Sequence, residues 1–437
     1  MAREYKDSGI PWMPTIPVNW TVEKGKNILF LHKRPMRDDD EVVTCFRDGE
    51  VVLRSERRTE GFTMSDKEIG YQGINKGDIV IHGMDGFAGS MGVSKSTGKG
   101  SPVLVVCTPK YDAVPQYIIY YLRVLAQMNV FVALATGIRE RSCDLRWNKI
   151  ANLQFIIPST EEQQKIADFL DKKCAEIDEG VALQEEFIEE LKAYKQSVIT
   201  EAVTRGLNPN AKLKPSGIDW ISDMPQEWGK CRLKDVGYIY GGLTGKSGGD
   251  FDEVEDTTRP YLLYIPYTNI FNNNIINPNQ LCKVKIADGE KQNLVKKDDL
   301  FFLMSSEDYD GVGKPAILEA DIDNLSLNSF CKGFRITNKD FYPKFLYYHI
   351  SSHLIRELIR QEAKGFIRIN LRQDKLACIP IMQPPISEQR QIADYLDQKC
   401  AEIDALIAIK QQKVEGLKEY KKSITYEYVT GKKEVDE

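Results

Sequence analysis

This chain is written twice, and no other feature of it limits the possible folds so strongly. Glu162-Gln-Gln-Lys-Ile-Ala-Asp-Phe-Leu-Asp-Lys-Lys-Cys-Ala-Glu-Ile-Asp178 returns as Glu388-Gln-Arg-Gln-Ile-Ala-Asp-Tyr-Leu-Asp-Gln-Lys-Cys-Ala-Glu-Ile-Asp404, with 13 of 17 positions identical at a constant offset of 226. The same offset aligns Leu191, Lys192, Tyr194, Lys195 and Ser197 with Leu417, Lys418, Tyr420, Lys421 and Ser423. A second block opens each half: Lys6-Asp-Ser-Gly-Ile-Pro-Trp12 with Pro17 and Trp20 recurs 208 residues later as Lys214-Pro-Ser-Gly-Ile-Asp-Trp220 with Pro225 and Trp228. The second half therefore holds 18 more residues between the same two markers. Segments 21–160 and 229–386 are far less alike. One frame around two different inserts implies a duplicated unit that presents two different surfaces.

The repeated end reads as a helix. Pro158-Ser159-Thr160-Glu161 and Pro385-Ile386-Ser387-Glu388 place a Ser or Thr ahead of an apolar-periodic run, which is a helix start signal. Leu170, Ile177, Leu191 and Val198 share one seven-residue phase, as do Leu396, Ile403, Leu417 and Ile424. Such a repeat predicts a coiled-coil seam. Gln184 and Lys410 interrupt the two seams at matching places, where a polar residue can fix register or mark a solvated kink. The first helix is expected to stop near Arg205-Gly206, ahead of Asn208-Pro209. A lone amphipathic helix must bury its stripe, so the two seams are expected to pair, antiparallel, giving approximate twofold symmetry.

The inserts read as mixed α and β. Asp78-Ile-Val-Ile81 and Asp299-Leu-Phe-Phe-Leu303 look like strands, and Pro115 to Leu122 and Pro343 to Ile350 like helices opened by proline. Gly83 to Gly100 and Gly241 to Gly249 read as glycine-rich loops. The expected organisation is a frame segment at 1–20, an insert domain at 21–160, a central helix at 161–206, a second insert domain at 207–386 with its frame at 207–228, and a C-terminal helix at 387–437. The fold class is α+β: two mixed domains separated by two long antiparallel coiled-coil helices.

Several chemistries lack their residues. Gly241-Gly-Leu-Thr-Gly-Lys-Ser247 resembles a phosphate loop, but Tyr240 stands where the leading glycine belongs. His349 and His353 are four apart on one expected helix, yet Ser352 replaces the glutamate of the His-x-x-Glu-His zinc protease pattern. No Asn/Asp-Pro-Pro-aromatic loop of an adenine methyltransferase occurs, and no nucleophile–base pair is evident. The nine cysteines form no CxxC pair, which favours scattered thiols over a metal or redox site. No apolar run is long enough for a membrane span and the start is not a signal peptide, so a cytoplasmic location is expected. The net charge of −5 is unevenly spread: residues 161–190 carry 11 acids and 3 bases, and 388–408 carry 5 acids and 2 bases. The remainder is mildly basic, so nucleic acid is not excluded.

The chain resembles, over its full length, the DNA specificity subunits of Type I restriction–modification systems. The resemblance rests on Ser8-Gly-Ile-Pro-Trp12 with Trp20, on Ser216-Gly-Ile-Asp-Trp220 with Trp228, and on the Pro-x-x-Glu-Gln-x-x-Ile-Ala helix starts. Asn75-Lys-Gly-Asp-Ile79, Lys297-Asp-Asp-Leu300 and Gly241-Gly242 also fit, as does the duplication itself. In Thr160-Glu-Glu-Gln163 an extra Glu is expected to shift the helix start by one residue. The resemblance implies a non-catalytic subunit with two target-recognition domains reading an asymmetric bipartite double-stranded DNA site. It also implies helices that dock two methyltransferase subunits, and restriction/translocase subunits that complete the complex. S-adenosylmethionine, ATP and Mg then belong to those partners and not to this chain. Arg or Lys favours guanine and Asn or Gln adenine; the candidate DNA-reading residues are His82, Lys95, Lys99, Arg139 and Arg141 in the first insert. In the second they are Lys246, Ser247, Asn269, Asn273, Tyr309, Lys314 and Arg368. The competing reading is a coiled-coil scaffold that binds protein partners without recognising DNA.

Overall fold

Two long helices, Thr160–Arg205 and Ile386–Val429, carry the repeated ends. The computed structural model describes residues 3–57, 69–134, 145–218, 221–251 and 260–435. Both helices begin at the same place in the repeat. Ser159 opens the first, its Oγ accepting the Glu162 N–H at 3.2 Å and its carbonyl the Gln163 N–H at 2.8 Å. Pro385 occupies the equivalent position in the second and supplies its carbonyl to Glu388 and Gln389. The extra Glu161 therefore shifts nothing, and Ser387 lies inside its helix instead of capping it.

The chain divides into two compact units, residues 1–185 with 411–437, and residues 186–410. In the first, the helix segments are antiparallel: Cys174 Sγ lies 4.0 Å from Thr425 Oγ1, Lys421 donates to Asp178 at 2.6 Å, and Lys418 to Glu185 at 3.1 Å. In the second, Lys195 donates to Asp404 at 2.6 Å and Lys410 Nζ sits 4.7 Å over the Phe187 ring. The Asp178–Lys421 and Lys195–Asp404 pairs are images of one another under the 226-residue repeat. Leu170, Ile177, Leu396, Ile403 and Ile424 are buried along the seams, while Leu191, Val198 and Leu417 are half-buried.

The inserts differ in sequence yet build the same four-stranded antiparallel sheet. Its order is Leu29–Leu31, Leu104–Pro109, Ile79–His82, Met91–Val93 in the first unit. In the second it is Gly237–Gly241, Cys331–Ile336, Leu300–Leu303, Pro315–Ile317. The outer strand of each packs on a proline-opened helix, Pro115–Gln127 or Pro343–Ser351. The stretch from Gly83 to Gly100, expected as a loop, contains the strands Met91–Val93 and Gly98–Gly100. Gly92 is required there, because a Cβ would fall 2.0 Å from the Gly49 carbonyl oxygen. The second insert adds a sheet of Cys282–Lys285, Tyr261–Ile265 and Leu325–Leu327.

Both sheets depend on an aspartate at a strand start. Asp78 accepts the Asn75 N–H at 2.8 Å and pairs with the Arg34 guanidinium. Asp299 accepts from Lys296 N at 2.8 Å, Tyr240 Oη at 2.6 Å and Arg335 Nε at 2.9 Å. One carboxylate thus closes the turn and neutralises a guanidinium across the sheet, which accounts for the shared Lys-x-Asp spelling. Burial, followed by the negative charge of Asp299, raises the Tyr240 phenol well above its usual range.

His349 and His353 do not share a helix, because the chain turns to extended geometry at Ser352 (φ −62°, ψ 148°). His349 is fully buried, and its Nε2 accepts the Met382 N–H at 2.9 Å. Burial lowers its pKa from 6.5 to about 4, which favours the neutral ring in the folded state. Its contribution is therefore fully present above pH 6.5 and lost as pH falls toward about 4. The loss is on the order of 3 kcal/mol. Urea unfolding at pH 7 and 4.5 should show the second unit weakening at the lower pH, and His349→Gln should flatten that dependence. An unaltered pH dependence in the variant would assign the loss to other groups.

Candidate functional site

Each insert is mounted on the repeated frame by the same contacts. Trp20 Nε1 donates to Glu162 Oε2 at 2.8 Å, and Trp228 Nε1 to Glu388 Oε2 at 2.9 Å. Gln163 donates to the Pro158 carbonyl at 2.9 Å and accepts the Val114 N–H at 3.0 Å. Gln389 likewise donates to the Pro384 carbonyl at 2.9 Å and accepts the Tyr342 N–H at 2.8 Å. Tyr120 and Tyr348 then donate to Asp171 and Asp397, each at 2.7 Å. The Glu-Gln pair that opens each helix therefore orients the sheet-backing helix of its insert.

The frames close on the helix ends. Gly206 and Gly431 are left-handed, φ +75° and +72°, and a Cβ there would come within 3.2 Å of Trp228 and 3.0 Å of Trp20 respectively. Tyr5 Oη donates to the Gly431 carbonyl at 3.1 Å, and Arg3 meets Glu434 at 3.2 Å. The opening frame thus lies against the end of the C-terminal helix.

The candidate reading residues fare unevenly. In the first unit His82 ends a strand, its Nδ1 accepts the Asp85 N–H at 3.0 Å, and burial lowers its pKa. Lys95 is exposed and paired with Glu50 at 2.7 Å. Lys99 is buried in the strand Gly98–Gly100. Arg139 and Arg141 lie outside the described residues.

In the second unit several candidates hold the loops together. Lys246, with 7% of its side chain exposed, donates to Glu290 at 2.6 Å. Glu290 also accepts the Ala287 N–H at 2.8 Å, and this backbone contact, followed by Lys246, holds its pKa at about 2. Ser247 caps the turn Gly248–Asp250, its N–H donating to Asp250 at 2.9 Å. Asn269 is fully buried and donates to the Asn277 carbonyl at 2.9 Å, while Asn273 donates to Gln280 Oε1 at 2.8 Å. Lys314 donates to the Phe271 carbonyl. Tyr309 and Arg368 remain exposed.

Sequence reasoning missed the surface around Arg368. A cleft of about 350 Å³ opens there between Tyr267, Phe271, Ser305, Ser306, Phe330 and Arg368, with Glu307 and Asp308 also in its wall. The Tyr267 and Phe271 rings stack at 6.0 Å between centroids and 19° between planes. Beside it Phe330 is 65% exposed, Phe366 fully exposed and Ile367 84% exposed. Aromatic faces next to hydroxyls and a guanidinium suit planar polar ligands. The overlooked signal was Gly365-Phe366-Ile367-Arg368, an apolar pair outside any periodic pattern.

Among the described residues no cluster of His, Cys, Asp or Glu suits a metal ion, and the cysteines are free. No described helix is long and apolar enough to cross a membrane.

Comparison with known proteins gives one consistent answer. Residues 225–419 match the family model described as Type I restriction modification DNA specificity domain. The chain is 23% identical over 363 residues to the Type I restriction enzyme MjaVIII specificity subunit of Methanocaldococcus jannaschii, covering 82% of this chain and 80% of that one. It is 25% identical over 267 residues to the EcoBI specificity subunit of Escherichia coli, covering 57% of this chain and 52% of that one. A solved chain from work on complex assembly and conformational transition of the type I R-M system superposes with TM-score 0.70 at 15% identity, over 95% of this chain and 99% of its own. At that identity the likeness speaks for the fold.

Proposed function

The chain belongs to the DNA specificity subunits of Type I restriction–modification systems, and from that premise we propose that its two inserts each read one part of an asymmetric, interrupted duplex DNA site. The observation that carries this reading is one mount under two different surfaces. The Trp–Glu and Gln contacts recur in both units, whereas the inserts differ in their added strands and loops.

In this reading the chain supplies sequence specificity and its partners supply chemistry. Two methyltransferase subunits dock on the paired helices and bring S-adenosylmethionine. Restriction/translocase subunits bring ATP and Mg, and the complex works in the cytoplasm. The test is to express the chain with its methyltransferase partner and map N6-methyladenine across the host genome. One asymmetric motif with a central gap is expected. A palindromic or uninterrupted motif would overturn the two-reader assignment. Absence of salt-dependent duplex binding by the complex would favour the protein scaffold instead.

A further inference from the structure

The hairpin from Lys364 to Asn370 has a firm base and an unpacked tip. Lys364 N–H donates to the Asn370 carbonyl at 3.0 Å, and Asn370 N–H to the Lys364 carbonyl at 2.9 Å. Ser305 and Ser306 pair with Asn370 and Ile369 as short antiparallel strands. Ala363, Ile369 and Leu371 anchor the base in the core. The turn is tight: Gly365 has φ +154°, and a Cβ there would fall 1.9 Å from the Arg368 carbonyl oxygen. Out of this base stand Phe366 and Ile367, both exposed, with exposed Lys364 and Arg368 on either side.

Burying two large apolar side chains is favourable, so leaving them outside on a tip whose base is held in the core calls for an occupant. The pair is too small to form a stable protein interface, which needs about 800 Å² from each partner. Its shape is that of an apolar wedge between cations, with the aromatic cleft of Phe271 and Phe330 beside it.

We propose that the Phe366–Ile367 tip inserts between base pairs in the half-site read by the second insert, unstacking one step, while Lys364 and Arg368 hold the flanking phosphates. Wedges of this kind bend the duplex and lend specificity through deformability. The proposal rests on the DNA-reading function above and adds to it a mode of recognition.

The experiment uses the full chain in complex with its methyltransferase subunits, and duplexes carrying the mapped site with 2-aminopurine at successive positions of that half. Binding of the wild type should raise fluorescence at one step. The Phe366→Ala/Ile367→Ala double variant should abolish that rise and weaken specific binding by about tenfold or more, the scale of one base–aromatic stack. Phe366→Trp, which keeps an aromatic wedge, should retain both. Lys364→Gln and Arg368→Gln should each lower the slope of log K against log salt by about one. A rise at no position, or a double variant that keeps the rise and the affinity, overturns the wedge while leaving DNA reading intact. A double variant that no longer co-purifies with the methyltransferase subunits makes the tip a protein contact and also overturns it. A wild-type complex with no sequence-specific binding overturns the wedge and the functional reading together.

Discussion

Exchanging residues 229–386 for the matching segment of a relative should change one half of the methylated site and leave the other half as it was. Both junctions fall in the frame, next to Trp228 and at the first turn of Ile386–Val429. A donor that keeps the Tyr342 and Tyr348 equivalents retains the contacts to Gln389 and Asp397 at 2.8 Å and 2.7 Å. The new insert is then mounted like the old one. Each mismatched base pair costs about 1–3 kcal/mol, so three altered positions shift preference by two orders of magnitude or more. Methylation mapping reads the result directly. A hybrid that alters both halves, or neither, would show that the readers are not independent.

The largest stability effect is expected for Leu396→Glu. Leu396 is fully buried and belongs to the same core as Trp228 and Phe345. Losing its packing while enclosing a carboxylate should cost on the order of 4 kcal/mol. Leu191 and Leu417 lie on the same seven-residue phase but are half-buried, so Leu191→Glu or Leu417→Glu should cost roughly half as much. Urea unfolding of the three variants decides it. Equal losses would mean that position in the seam matters and burial does not.

Those seam positions also show what the sequence alone could reveal. A seven-residue apolar period is a local signal, as is the Gly206 behind the first helix, which ends at Arg205 near where it was expected, whereas the second ends at Val429, short of the expected 437. The inserts were harder. The strands at Asp78 and Asp299 were legible because a carboxylate-closed turn precedes an apolar run. The shared sheet order was not, because pairing such as Leu104–Pro109 between Leu29–Leu31 and Ile79–His82 is set by long-range packing. The reading surface suffered most. Asn269 and Lys246 have the donors that bases attract, but composition cannot tell a side chain facing outward from one satisfied by its own loops. Phe366 and Ile367 went unnoticed for the opposite reason, since apolar residues are assigned to a core by default.

The closing of the first frame by Gly431 and Glu434 sets an order of events during synthesis. Residues 186–410 form a contiguous unit, whereas the unit that begins at the N-terminus also needs residues 411–437. Proteins made on ribosomes generally fold from the N-terminal end as they emerge. Here the order is inverted. The second unit can complete itself first, while in the first Trp20 already holds Glu162 but the core around Trp20 and Leu170 stays open on the side closed by Ile424, Val429 and Gly431 until residues 411–435 are made. A message truncated shortly after residue 410 should therefore yield a finished second unit and an unfinished first one.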